Sequence, residues 1–282
     1  AWSRIGDVIT IMLWVKGNVT TVPIITSLII PSFVSMAVPV LLASRYLKGE
    51  LAPISADTEC KKESCVTFRE RNQIFILGVL ALLLVPVFKT LTHLPPFIGV
   101  LLTLSLLWIF LELMYNKKCL DKSQEHRVPS ILQRIDMATI LFFLGILLAV
   151  GVLQEVGILK NVANYLTENV GNVYIINIVL GMLSSIVDNV PLVAAAMGMY
   201  PIAEVGAVGF DAFCVQDGVF WQFLAYCAGV GGSMLIIGSA AGVVVMGLEK
   251  INFGWYLKKI SLLALLGYLA GAGWFILQEM IF

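Results

Sequence analysis

The stretch GMLSSIVDNVPLVAAAMGMY, residues 181–200, sets a carboxylate, a carboxamide and a proline at the centre of an apolar run. Asp188 and Asn189 bring hard oxygens, and Ser184 and Ser185 bring hydroxyls a few residues earlier. Oxygen donors of this kind suit hard cations. Two further stretches carry polar groups in apolar surroundings. The glycine-rich CAGVGGSMLIIGSAAGVVVMG holds Ser233 and Ser239, and the opening AWSRIGDVITIMLW holds Asp7 and Thr10. The chemistry this set implies is binding of Na⁺ or Li⁺ in competition with H⁺. A carboxylate withdrawn from water keeps its proton when empty, and a bound cation expels it. Asp7 and Asp188 are the candidates for that competition, with Asn189, Thr10, Ser184, Ser185, Ser233, Ser239 and freed backbone carbonyls as neutral ligands. Such a site transports its ions; it implies no resident metal or cofactor and no enzymatic step.

The elements that must position these groups are membrane spans. Of 282 residues, 59% are apolar and 13% charged, and the mean hydropathy is +0.94. Soluble domains carry about 25% charge. Several apolar runs reach the roughly 20 residues needed to cross a bilayer. A membrane barrel would instead alternate in segments of about ten. The reading is an all-α polytopic membrane protein. Zero net charge and the lack of a basic stripe exclude nucleic acid as a partner. The pattern predicts elements at 8–16, 22–46, 73–92, 96–115, 137–157, 173–200, 219–248 and 256–279.

Basic residues set the orientation. The 45–72 loop holds six, 116–136 five and 249–259 three, whereas the loop near Lys89 and the 158–172 loop hold one each and 201–218 none. Basic loops stay cytoplasmic, so the first three lie inside and the others outside. The 28 residues of 173–200 are too many for one span and too few for two. They predict a re-entrant hairpin that turns at Asp188-Asn189, with Pro191 disfavouring helix at Val190. Gly229, Gly231 and Gly232 weaken the 219–248 span and predict a broken helix. The opening aligns with residues 233–246, Gly6 on Gly238 and Asp7 on Ser239, yet the loop charges give the two segments opposite orientations. Inverted repeats with broken helices mark secondary transporters. The domain reading is 1–47, the end of a first inverted repeat; 48–72, a cytoplasmic loop; and 73–282, a second inverted repeat. The chain opens at Ala1 inside what reads as a spanning element, so an N-terminal truncation is expected, and with it no transport by this chain alone.

Other groups read as ordinary. Cys60 and Cys65 lack a second Cys or His pair and are expected to be reduced loop thiols. Cys119, Cys214 and Cys227 read as small apolar residues. Glu112 and Glu155 sit near span ends; Glu204, Asp211 and Asp217 form a solvated outer loop; His93 and His126 lie in loops. Trp255, Tyr256 and Trp274 read as interface anchors.

SSIVDNVPLVAAAMGMY, GVGGSMLIIGSAAGVVVMGLEK and GDVITIMLW resemble the NhaD-type sodium/proton antiporters of the ion transporter superfamily. The likeness runs along almost the whole chain. It implies two inverted repeats, each with a hairpin and a broken helix, in a homodimer of the cell's inner (cytoplasmic) membrane. It places Asp7 and Thr10 in the first broken helix, Ser184, Asp188 and Asn189 at the second hairpin tip, and Ser233 and Ser239 in the second broken helix. The family's Thr-Thr pair after Gly-Asp-Val is Ile9-Thr10 here, and a first Asp-Asn hairpin is absent. Three other readings compete: an anion carrier of the same superfamily, for dicarboxylates or arsenite; an inactive fragment; and an intramembrane aspartyl protease, which the missing first glycine of Gly-x-Gly-Asp disfavours.

Overall fold

The computed structural model describes residues 8–46, 67–92, 94–118, 137–238, 242, 245–246 and 251–281. Asp7, Ser239, Cys60, Cys65, Cys119, His93 and His126 lie outside them. The described chain is helical: α1 Val8–Lys16, α2 Thr21–Tyr46, α3 Phe68–Thr92, α4 Pro96–Lys118, α5 Met137–Glu155, α6 Ile158–Asn169, α7 Val173–Leu183, α8 Asn189–Met199, α9 Val219–Gly231, α10 Phe253–Lys259 and α11 Ser261–Ile281. Four of these, α2, α3, α4 and α11, are long and apolar enough to cross a membrane. Apolar side chains such as Leu83, Leu101, Ile109 and Leu262 stay exposed, a surface that hydrocarbon rather than water would cover. The chain is an all-α polytopic membrane protein.

Contacts divide it into two compact units, 49–141 and the remainder. In the 49–141 unit, α3 and α4 pack together. The first turn of α3 is closed by Thr67, whose backbone N–H donates to Glu70 Oε2 at 3.0 Å, half of a capping box. That box starts α3 five residues before the expected boundary. Gly99 brings α4 against Phe88, whose Cδ1 would lie 2.9 Å from an added Cβ.

In the other unit, α11 runs along α2. Pro31 and Pro39 lie inside α2, and each deprives the carbonyl four residues earlier of its donor. Gln278 of α11 donates Nε2–H to the freed Ser27 carbonyl at 3.5 Å. Gly267 brings the α11 backbone against Ser35, the other freed carbonyl. At Pro31 a neighbouring helix thus supplies the missing donor, as membrane interiors require. Tyr226 of α9 donates to the Tyr268 carbonyl at 2.9 Å, and Tyr268 donates to the Ile178 carbonyl at 3.0 Å. The two tyrosines tie α7, α9 and α11 into one buried core.

Three connections differ from expectation. Residues 158–169, read as loop, form α6, bent 70° from α5. Its stripe of Leu159, Ala163 and Leu166 packs inward, and Tyr200 donates to the Ala163 carbonyl at 3.4 Å. The outer 201–218 segment is folded rather than simply solvated. Phe210 packs on Tyr200 at 5.3 Å between ring centres, and Trp221 Nε1 donates to the Cys214 carbonyl at 2.9 Å. The last element is two helices. Asn252 caps α10 by accepting from Gly254 N at 2.9 Å, and a break at Ile260 precedes α11.

Cys214 and Cys227 are free and buried. Burial, with the charge of Asp211 adding to it, pushes the Cys214 thiol up to about 12. A raised value leaves only about one thiolate in ten thousand at pH 8. Maleimide at pH 8 is therefore expected to leave the Cys214 peptide unmodified in folded protein and to label it fully after denaturation, read by peptide mass mapping.

Candidate ion site at the hairpin tip

The site is built by two interrupted segments that meet. Asn172 opens α7, its side chain accepting from Tyr174 N at 2.9 Å and Ile175 N at 3.3 Å. α7 ends at Leu183, and residues 184–188 form the turn. Asp188 (φ −52°, ψ 142°) stands at the N-cap of α8. Pro191 falls in the first turn of α8, where its missing N–H would have no intrahelical partner anyway. The proline therefore starts a helix, and Val190, expected to leave helical geometry, is helical.

The depth of this turn follows from its neighbours on α9. Near the start of α7, Tyr174 meets Phe223 at 5.7 Å and Asn177 Nδ2 donates to the Phe220 carbonyl at 3.4 Å. Past the end of α8, Tyr200 packs on Phe220 at 4.7 Å. At the turn, Ser184 Oγ donates to the Ala228 carbonyl at 3.1 Å. Both ends of the segment thus lie beside the start of α9, and its tip lies eight residues further along. Eight helical residues rise about 12 Å, close to half of a hydrocarbon layer of about 30 Å. The segment goes in and comes back.

α9 stops at the same level. It ends at Gly231, passes through a 3₁₀ turn at Gly232–Met234 and continues without helix through Gly238. Gly231 lies against the backbone of Gly181, and Gly238 against the carbonyls of Ser184 and Ser185. Glycine is required at these crossings because backbone meets backbone. One terminal atom of the Asn189 carboxamide faces Ser184 Oγ and two carbonyls. Carbonyls only accept, so that atom is the NH₂ nitrogen. It donates to Gly238 O at 2.9 Å and Ala228 O at 3.3 Å. The Asn189 oxygen is turned away from them.

α1 completes the frame from the opposite direction. Its C-terminal end is bound to the start of α9: Asp217 N donates to the Asn18 carbonyl at 2.9 Å and Gln216 Nε2 to the Gly17 carbonyl at 2.9 Å. Asp217, read as a solvated outer acid, instead accepts from the Thr20 backbone N–H, and from its hydroxyl at 2.7 Å. α1 and α9 therefore run antiparallel, and α1 also packs on α8.

The expected site residues sort as follows. Ser184 is fully buried and joined to Asn189 at the tip. Asp188 is partly buried. Its carboxylate caps nothing, and among the described residues no lysine or arginine pairs with it. Ser185 Oγ donates to Met182 O at 2.7 Å and Ser233 Oγ to Val230 O at 2.6 Å. Both hydroxyls use their hydrogen on backbone, which leaves oxygen lone pairs for a cation. Thr10 is fully buried in α1, about 10 Å along the helix from Gly17. Asp7 and Ser239 lie outside the described residues. Sequence reasoning missed the glycine contacts, whose partners are remote in the chain. It also missed Tyr256, read as an interface anchor, whose OH donates to the Ser233 carbonyl at 2.7 Å. Among the described residues no cluster of His, Cys, Asp or Glu could hold a resident metal.

Apolar spans around a hairpin tip and a helix that end at one depth, with the Ser184 hydroxyl and the Asn189 carboxamide joined at the tip, define a polytopic membrane protein with a polar hairpin tip. The family model described as citrate transporter (CitMHS) matches residues 3–215, and the chain belongs to that family. It is 46% identical over 271 residues to "Sodium/proton antiporter 1" of Arabidopsis thaliana, covering 96% of this chain and 45% of that protein. It is 43% identical to "Sodium/proton antiporter 2" of the same plant, covering 96% and 62%. It is 30% identical to "Na(+)/H(+) antiporter NhaD" of Vibrio parahaemolyticus, covering 95% and 65%. The chain thus spans roughly half to two thirds of these relatives. No solved structure matches it.

Proposed function

We propose that the protein containing this chain is a secondary active transporter that exchanges Na⁺ or Li⁺ for H⁺. The observation that carries this reading is the Asp188 carboxylate, at the tip of a half-depth hairpin and without a basic partner among the described residues. A carboxylate in that place marks an ion or proton pathway. Asn189, Ser184, Ser185, Ser233 and the turn carbonyls supply neutral oxygens for the dehydrated cation. Thr10, with Asp7 and Ser239, extends the set. One site that cannot hold both ions couples their movements in opposite directions. The names of the sodium/proton antiporter relatives support the reading.

The same proposal includes two inverted repeats, of which 73–282 is the second, a homodimer, and a multi-pass place in the cell's inner membrane. The antiparallel run of α1 and α9 supports the inversion. The description of the matching family, citrate transporter, favours the second reading, an anion carrier. The tip carboxylate opposes it, because it repels a dicarboxylate.

Everted vesicles carrying the full-length protein separate the two. Addition of Na⁺ or Li⁺ is expected to release protons from the proposed exchanger, read by a pH-gradient dye. Citrate uptake without sodium-driven proton movement would establish the anion carrier instead.

A further inference from the structure

We propose that Tyr256 is a positioning residue of the ion site. It acts through Ser233 to hold the unwound 232–238 segment in its binding geometry. The inference rests on the sodium/proton reading of that site.

The segment needs holding. Ile236 has φ +55°, a conformation that a β-branched residue adopts only when its surroundings impose it. The side chain is nonetheless 4% exposed, so the strain sits inside the packed structure. Two contacts remote in the chain fix the ends of the strained stretch. At Gly238, the hairpin tip holds the carbonyl through the Asn189 NH₂ group at 2.9 Å. At Ser233, the Tyr256 hydroxyl holds the carbonyl at 2.7 Å. Ser233 thus has both polar ends committed: its carbonyl to Tyr256 and its hydroxyl hydrogen to Val230 O. The position of Oγ, with its lone pairs, follows from those two bonds.

Tyr256 is half-buried. It lies on α10, which Asn252 caps. α10 packs on α11, and α11 packs on α2 and on the 232–234 turn. The phenol therefore joins the strained loop to the most extensive helix packing in this unit. Loop charges place 249–259 on the cytoplasmic side, so this contact approaches the site from the inner face. The hairpin reaches it from the outer one.

The test is Tyr256→Phe in the full-length protein, which removes one hydroxyl and keeps the ring. In proteoliposomes the sodium concentration for half-maximal proton release is expected to rise about tenfold, the usual consequence of losing one such hydrogen bond. The maximal rate should stay within about twofold, a split that general destabilisation does not give. Amide hydrogen exchange over 233–238 is expected to accelerate by about the same factor. Ser233→Ala keeps the carbonyl and its latch. It should raise the sodium requirement with loop exchange unchanged. Wild-type sodium dependence in Tyr256→Phe overturns the proposal and leaves the exchanger reading standing. Wild-type sodium dependence in Ser233→Ala overturns action through Ser233. Absence of any sodium response in the unsubstituted protein overturns the exchanger reading and this inference together.

Discussion

Replacing Asp188 with Asn is expected to reduce sodium-driven proton release to background, below about 1% of the unsubstituted rate. Two effects lead there. Asn cannot carry the proton that the cation must expel, so no exchange is coupled at this residue whatever else binds. The cation also loses a charged ligand. At a partly buried position that loss amounts to about 3 kcal/mol, or roughly a hundredfold in affinity. The fold should not change. Asp188 is the N-cap of α8, and Asn serves there as well as Asp does; its carboxylate makes no capping bond that would be lost. Equal thermal midpoints for Asp188→Asn and the unsubstituted protein would isolate the chemical effect. Asp188→Glu retains the charge on a longer arm and should keep partial activity. Proton release of normal size from Asp188→Asn would end the assignment and move the exchange to another carboxylate, Asp7 being the next candidate.

The hairpin was legible because its signals are local. A 28-residue apolar stretch with Asp-Asn-x-Pro at its centre has no other economical solution in a bilayer. The fine geometry was not, because the proline has two meanings. It forbids a helix interior but suits a helix start, and only the position of the preceding turn decides which applies. Reading Pro191 as the breaker put the turn two or three residues late; it occupies 184–188. α6 was hidden for a different reason. Its polar face, Lys160, Asn161, Asn164 and Glu168, removed it from a search for spans, although Leu159, Ala163 and Leu166 keep a helical spacing. The early start of α3 had a signal, Thr67 three residues before Glu70, of the kind that marks helix starts.

The contacts at the hairpin tip were legible only in part. Residue types and burial in apolar context pointed to Asp188, Asn189 and Ser184. Which hydroxyls bond back to the backbone could not be read, since Ser185 and Ser233 each had a backbone carbonyl within reach and both took it. Long-range partners left no trace in a single sequence. The Asn189 contact with Gly238 and the Tyr256 contact with Ser233 join segments 49 and 23 residues apart. The glycines signalled a weakened helix. Their second use, close approach of two backbones, depends on what lies opposite.

That second use makes Gly231→Ala the other substitution of large effect, and the sign must be decided between two opposing terms. Helix propensity alone favours Ala over Gly by about 1 kcal/mol, and Gly231 is a helical residue at the end of α9. Sterics oppose it. An added Cβ would come against the Gly181 carbonyl oxygen and lie 2.8 Å from its carbon. Those are backbone atoms of α7 and cannot rotate aside as a flexible side chain would. Gly181 is itself packed against Cys227 of the same helix α9 and against the Tyr268 hydroxyl of α11, so the two backbones cannot shift independently. Overpacking of this kind costs typically about 1–3 kcal/mol, and the rigidity on both sides puts this case at the upper end. The net expectation is a loss of about 2 kcal/mol, or a thermal midpoint lower by roughly 4–8 °C in detergent. Exchange activity should fall further than stability, because α7 can separate from α9 only by carrying Ser184 and Asn189 away from the Ala228 and Gly238 carbonyls. Gly273→Ala in α11 is the matched comparison, since nothing lies within 4 Å of its added Cβ. It is expected to leave activity unchanged and the midpoint equal or slightly higher. If both alanine variants behaved alike, close contact of α7 with α9 could not be what sets the two interrupted segments at one depth.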